Sequence, residues 1–227
     1  MLSIDELKTV FRSCYFERSA GTLLIQETEK DAAVKSAAFE TEGDLLHIRK
    51  EFLDASKELY IRNNDCTGIE LEHCCDGIVL LSEKDKMYVF LIELKSKYTK
   101  DNVKKAYNQL RASYLKLVTT LFAFKDFQLS DCCFAGILVS LPMEGETMIK
   151  YQKLLSVEQD KSSFNYFKFC MDLNFHGELF VQKEHLKYQS LPLKEELFPE
   201  ELPLFYVEDW NSPIDLDVYK RRLIKEI

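Results

Sequence analysis

The chain has 227 residues, 46% hydrophobic and 30% charged, enough to bury a core without disulfide or metal staples, as one domain or one domain with an appendage. With only 7 Gly and 5 Pro it is not a low-complexity or linker-dominated chain. The net charge of −8 counts against broad polyanion binding, because phosphate contact needs cations.

In chain order, residues 4–16 read as a short amphipathic helix, with Ile4, Leu7, Val10 and Phe11 at helical spacing and Ser3 as cap. This N-terminus lacks the apolar run of a signal peptide, and no stretch nears the roughly 18 apolar residues of a membrane span. The expectation is a cytoplasmic protein with no membrane partner. Gly21–Gln26 reads as a strand. Residues 33–50 carry no single signal: an Ala-rich start, then Gly43–Asp44 as a turn before Leu45-Leu46-His47-Ile48. Residues 51–61 read as helical and Asn63–Asp65 as a turn.

Ile69–Ser82 has a long strand pattern, and Glu83–Lys86 a hairpin loop. Met87–Lys95, MYVFLIELK, is the clearest buried strand, apolar on both faces as a central strand must be. Thr99 or Asp101 caps the following helix, predicted over 101–121 from the recurrence of Val103, Ala106, Tyr107, Leu110, Tyr114, Leu117, Val118 and Leu121. Phe134–Leu141 is a further buried strand. The helix between them predicts that it lies parallel to 87–95. Beyond Pro142, residues 164–173 and 178–183 suggest a hairpin across Asn174–Gly177. Pro192, Pro199, Pro203 and Pro213 suggest an extended acidic arm over 191–213. A basic helix over 215–227 ends the chain.

The seven cysteines, Cys14, Cys66, Cys74, Cys75, Cys132, Cys133 and Cys170, form no CxxC pair, and His73 beside Cys74 and Cys75 lacks tetrahedral zinc spacing. Reduced, mostly buried thiols are expected. GxxxxGK[ST], GxGxxG and GxSxG are all absent, and no local signature joins a cysteine to His47, His176 or His185. Lys95, Lys97, Lys100, Lys104, Lys105, Arg111 and Lys116 make a basic stripe opposed only by Asp101, suited to phosphate contact or to a solvated helix face.

Three charged residues sit where polar groups are costly: Asp76 inside a strand run, and Glu93 and Lys95 at the end of the most apolar strand. Alternation puts Glu93 and Lys95 on one face, and hairpin pairing brings Asp76 beside them. Two neighbouring carboxylates repel unless one is protonated or a cation binds between them, and Mg²⁺ favours oxygen ligands. The backbone carbonyl of Leu94 is a further oxygen ligand. Another acid-x-Lys, Glu6-Leu7-Lys8, lies on a helix as surface charge.

The run CCDGIVLLSEKDKMYVFLIELKSK followed by NVKKAYNQLRAS resembles the PD-(D/E)xK nuclease superfamily over about residues 60–140. In that family an Asp begins the second core strand and E-x-K closes the third, matched by Asp76 and by Glu93-Leu94-Lys95. A Gln or basic residue on the next helix is matched by Gln109 and Lys105. The Pro of the family's name is replaced by Cys75, and the family's acid on the first helix has no distinguished match among Glu6, Glu51 and Glu58, while Glu72, on the strand face of Asp76 by alternation, could substitute.

The resemblance implies a restriction-endonuclease-like α/β core, assigned to 1–150, with a mixed central sheet and flanking helices; the pattern after it reads as a smaller C-terminal extension over 151–227, with a β hairpin, an arm and a terminal helix. It implies a Mg²⁺- or Mn²⁺-dependent endonuclease acting on DNA in restriction, anti-phage defence or repair. The expected catalytic residues are Asp76, Glu93, Lys95 and Gln109, and the metal ligands Asp76, Glu93 and Leu94. Homodimers or a partner protein are expected company. An alternative is a nuclease-fold assembly subunit without activity, which the acidic charge and the arm would serve by docking.

Overall fold

The structure is a computed structural model and describes residues 4–27, 32–56, 71–157, 165–188 and 191–224. The elements in order are α1 (Ile4–Val10), β1 (Phe16–Gln26), β2 (Ser36–Arg49), α2 (Lys50–Asp54), β3 (Gly77–Glu83), β4 (Lys86–Lys95), α3 (Lys100–Leu121), β5 (Cys132–Ser140), α4 (Gly145–Val157), α5 (Tyr166–His176), β6 (Glu178–Gln182), α6 (Lys183–Leu186), β7 (Glu201–Val207), β8 (Ile214–Asp215) and α7 (Leu216–Leu223). The sheet runs β1-β2-β3-β4-β5-β7-β6, with β8 added beside β2. It is mixed: β4/β5 and β5/β7 are parallel, whereas β1/β2, β2/β3, β3/β4 and β6/β7 are antiparallel.

The apolar run in 87–95 has the consequence expected of it. β4 is the middle strand, and its alternate residues feed two separate cores. Val89 and Leu91 face α3 with Ile78 and Leu80, while Tyr88, Phe90, Ile92 and Leu94 face the other side with Val79 and Leu81. α3 covers the first face through Val103, Ala106, Leu110, Leu117 and Val118, with Thr99 Oγ1 accepting from the Asn102 N–H at its start. Gly136 lets this helix come close: a Cβ there would lie 2.8 Å from Leu204 Cδ1 and 3.2 Å from Leu110 Cδ1. Gly136→Ala is expected to destabilise the fold by about 1–3 kcal/mol, measured as a lowered urea midpoint.

The second face is covered from three places. Leu23, Ile25, Val34, Ala37 and Phe39 come from the β1–β2 hairpin, Ile214 from β8 and Leu216 from α7. β1 is not a ladder neighbour of β3, yet a Cβ on Gly77 would lie 2.8 Å from Ile25 Cδ1. The far half of the hairpin therefore curls over the sheet. The turn expected at Gly43–Asp44 does not form, because β2 runs unbroken through it. The hairpin loop expected at Glu83–Lys86 does form, with the chain reversing at Lys84–Asp85, where Lys84 takes a left-handed φ of 52°.

Several expectations need correction. The strand expected over 69–82 begins only at Gly77, and 71–76 is turn and coil. Residues 166–176 form a helix, not the first arm of a hairpin: Asn165 Oδ1 caps it at the Phe167 and Lys168 N–H groups, and Gly177 closes it with φ 68°. The segment read as an extended acidic arm holds a short 3₁₀ turn and then β7, which lies between β5 and β6. Pro203 is tolerated there because the ladder with β5 begins only at Leu204. Residues 201–207 are therefore sheet interior, which removes them as a docking arm. The turn predicted at Asn63–Asp65 lies outside the described residues. Among those residues no helix is long and apolar enough to cross a membrane, and six cysteines are free thiols.

Candidate metal and phosphodiester site

The β3–β4 ladder ends at Gly77↔Ile92, and just beyond it the Asp76 N–H also donates to the Ile92 carbonyl, at 2.9 Å, which holds Asp76 beside the end of β4. Glu93 and Lys95 share the α3 face of β4, Asp76 lies beside its end, and all three are buried. Asp76 Oδ2 accepts from the Leu94 N–H at 2.9 Å and Oδ1 from Lys50 Nζ at 2.9 Å. Lys95 Nζ donates to Glu93 Oε1. Glu93 Oε2 is buried with no hydrogen-bonding partner.

An unpartnered carboxylate oxygen is expensive where water does not reach. Burial first, and then the Asp76 charge, push the Glu93 carboxyl up to about 8; Lys95 and Lys50 pull it partly back. For Lys50, burial alone would lower the pKa, but the charge and hydrogen bond of Asp76, helped by Glu93, carry it upward. The result is two carboxylates and two ammonium groups in a low-dielectric corner, with one oxygen still wanting a cation or a proton. Among the described residues no group of three or more His, Cys, Asp or Glu side chains gathers as a metal nest.

The coil leading into Asp76 is held by one stripe of α3. Gln109 Nε2 donates to the Cys74 carbonyl at 3.1 Å, Ser113 Oγ accepts from the Cys75 N–H at 2.8 Å, and Lys116 Nζ donates to the His73 carbonyl at 3.2 Å. Positions 109, 113 and 116 fall on one helical face. This is how 71–76 satisfies backbone groups without a ladder. Ser113→Ala strands the buried Cys75 N–H, for an expected cost of about 1–3 kcal/mol in urea unfolding; an unchanged midpoint would refute the pinning.

Asp76 and Lys50 open onto a polar cleft of about 250 Å³, also lined by Glu17, Leu24, Gln26, His47, Arg49 and Glu51. Arg49 Nη2 donates to Glu17 Oε2 at 3.1 Å. Burial, the largest influence, keeps His47 below its usual pKa despite Glu17. Of the four acids weighed from sequence, Glu51 reaches this cleft and Glu6 lies on α1. Glu72 sits in a turn beside His73 rather than on a strand face, and Glu58 lies outside the described residues.

The basic stripe serves neither of its expected uses as a whole. Lys95 and Lys116 are buried on polar partners. Lys100 Nζ lies 4.6 Å from the centre of the Phe167 ring, Lys104 Nζ 5.2 Å from that of Tyr166, and the Arg111 guanidinium 3.8 Å from that of Tyr188. The C-terminal third packs its aromatic rings over these cations. Lys97 and Lys105 are exposed.

The sequence points to Asp76, Glu93, Lys95 and Gln109, but not to Lys50 or Ser113, and it offers Lys116 only as part of the basic stripe. Lys50 had no signal, being 26 residues upstream of its partner. Ser113 and Lys116 lie four and seven residues beyond Gln109 along α3, a spacing that puts all three on one face. No protein-family model matches the chain, and neither a curated protein nor a solved structure matches it.

Proposed function

We propose that this chain is a PD-(D/E)xK-type nuclease: a Mg²⁺- or Mn²⁺-dependent endonuclease that hydrolyses phosphodiester bonds in DNA, in restriction, anti-phage defence or repair. The observation that carries the reading is the gathering of Asp76, Glu93 and Lys95 at the end of β4, with Glu93 Oε2 buried and unpartnered. The order of parts supports it: an Asp just before one strand, acid-x-Lys closing its hairpin partner, then a long helix and a parallel strand.

The donor set suits a hard divalent cation that keeps several waters. Asp76 and Glu93 would supply carboxylate oxygens, Glu93 through the atom that now lacks a partner. Leu94 would add its carbonyl, which by strand geometry leaves on the same edge as the N–H bound to Asp76. Bound there, the cation supplies a Lewis acid for a phosphoryl oxygen and lowers the pKa of water.

Lys95 orients the attacking water and steadies negative charge as it builds on the phosphoryl oxygens. Gln109 and Ser113 act through Asp76, by fixing the coil before it. The cleft beside Asp76 and Lys50 is the approach for the phosphodiester. The test is incubation with supercoiled plasmid, linear duplex and RNA, with and without Mn²⁺, beside Asp76→Asn. Cleavage of DNA that needs both Mn²⁺ and Asp76 supports the reading; no cleavage of any substrate by the folded protein refutes it.

A further inference from the structure

One cation of the site has no role in the scheme above. Lys50 begins α2, on a different element from the carboxylate it contacts. The Lys50 side chain is 25% exposed and that of Asp76 1%, so the lysine is the wet half of the pair. Its flexible stem can swing toward the cleft without disturbing the sheet. Lys95, at 10% exposure against a fully buried Glu93, has no such freedom.

Charge favours the exchange. Once a bound cation has taken the place of the Glu93 proton and both carboxylates are ionised, Asp76, Glu93, Lys50 and Lys95 by themselves sum to zero. A divalent cation added between the carboxylates leaves the corner strongly positive, and Lys50 Nζ competes directly with it for Asp76 Oδ1. The cleft into which Lys50 can withdraw also presents Arg49, paired with Glu17, and Gln26, side chains able to donate to an anion, beside the carboxylates of Glu17 and Glu51.

We propose that Lys50 is the exchangeable counter-ion of this site: it neutralises Asp76 until a divalent cation displaces it into the cleft, where it holds a phosphate of the substrate strand. The inference rests on the nuclease reading. Binding the metal and presenting a cation to the phosphodiester thereby become one event, because the same ammonium group cannot do both.

The test uses the full chain and its Lys50→Met, Lys50→Gln and Asp76→Asn variants. Mn²⁺ affinity is measured by calorimetry, thermal unfolding is followed in EDTA and in Mn²⁺, and plasmid cleavage is measured at saturating Mn²⁺. Without its competitor the metal should bind Lys50→Met about tenfold tighter or more. That variant should melt lower than wild type in EDTA, since Asp76 is left buried and unpaired, and gain more from Mn²⁺ than wild type does. Its cleavage should weaken mainly through a raised KM for DNA. Lys50→Gln should show the same pattern and serves if Lys50→Met does not fold.

Equal or weaker Mn²⁺ binding by both Lys50 variants overturns the exchange. The nuclease reading survives that result if wild type still cleaves and Asp76→Asn removes Mn²⁺ binding. A wild-type chain that neither binds Mn²⁺ nor cleaves removes both.

Discussion

Lys95→Ala is expected to lower Mn²⁺-dependent plasmid cleavage by about a thousandfold or more, with Mn²⁺ binding retained. The ammonium group of Lys95 is held against Glu93 at the end of a rigid central strand, so its position is set before substrate arrives. Truncation removes the charge that steadies the transition state and leaves the two carboxylates where they are. The fold should survive it. Glu93, already pushed up to about 8 with Lys95 beside it, simply keeps its proton when the lysine is gone. The loss should therefore fall on kcat measured at saturating Mn²⁺, with a circular dichroism spectrum close to wild type. A Lys95→Ala protein that still cleaves at the wild-type rate would remove Lys95 from the chemistry. Loss of folding together with activity would make it a structural ion-pair partner instead.

The stability of the chain in EDTA should fall as pH rises from about 5 to 8. The direction is opposite to that of most buried carboxylates, which gain stability from ionising. Glu93 is held at about 8 against an ordinary 4.5, so in this range the folded chain keeps a proton that the unfolded chain has released. Stability then drops with pH until the folded-state carboxyl ionises as well, by on the order of 3–5 kcal/mol in all. His47 works the other way, since burial lowers its pKa and acid must force a charge into it. The quantity to compare is therefore the difference between wild type and Glu93→Gln, measured by urea unfolding across the range. Glu93→Gln should lack the downward slope, and Mn²⁺ should reduce it in wild type by displacing the proton. Parallel profiles for the two proteins would mean that Glu93 titrates normally and that its buried oxygen is satisfied.

The strongest local signals are legible in the sequence itself. The unbroken apolar run of 87–95 required a strand covered on both sides, and it is the middle strand of the sheet. The three- and four-residue recurrence from Val103 to Leu121 required a helix with one buried face, and α3 has it. Because side chains alternate along a strand, Glu93 and Lys95 had to share a face, and a short hairpin had to bring Asp76 near them.

Other parts were ambiguous because two periods fit the same residues. Phe167, Phe169, Met171 and Leu173 alternate like a strand, yet Asn165 and Gly177 bracket them as a helix. Around Pro203, acidic neighbours and a missing N–H argued for an exposed arm, and only the point where the β5 ladder starts explains why a strand is possible there.

Chain order and side-chain period determined β4, α3 and the common face of the acid-x-Lys pair, since these depend on neighbours a few residues apart. Which cations stay free, which acid meets Lys50, and which helix stripe holds the coil before Asp76 were decided by packing between segments distant in sequence. Charge and hydrogen-bonding capacity are properties of a residue, but the partner that satisfies them is chosen by the folded chain.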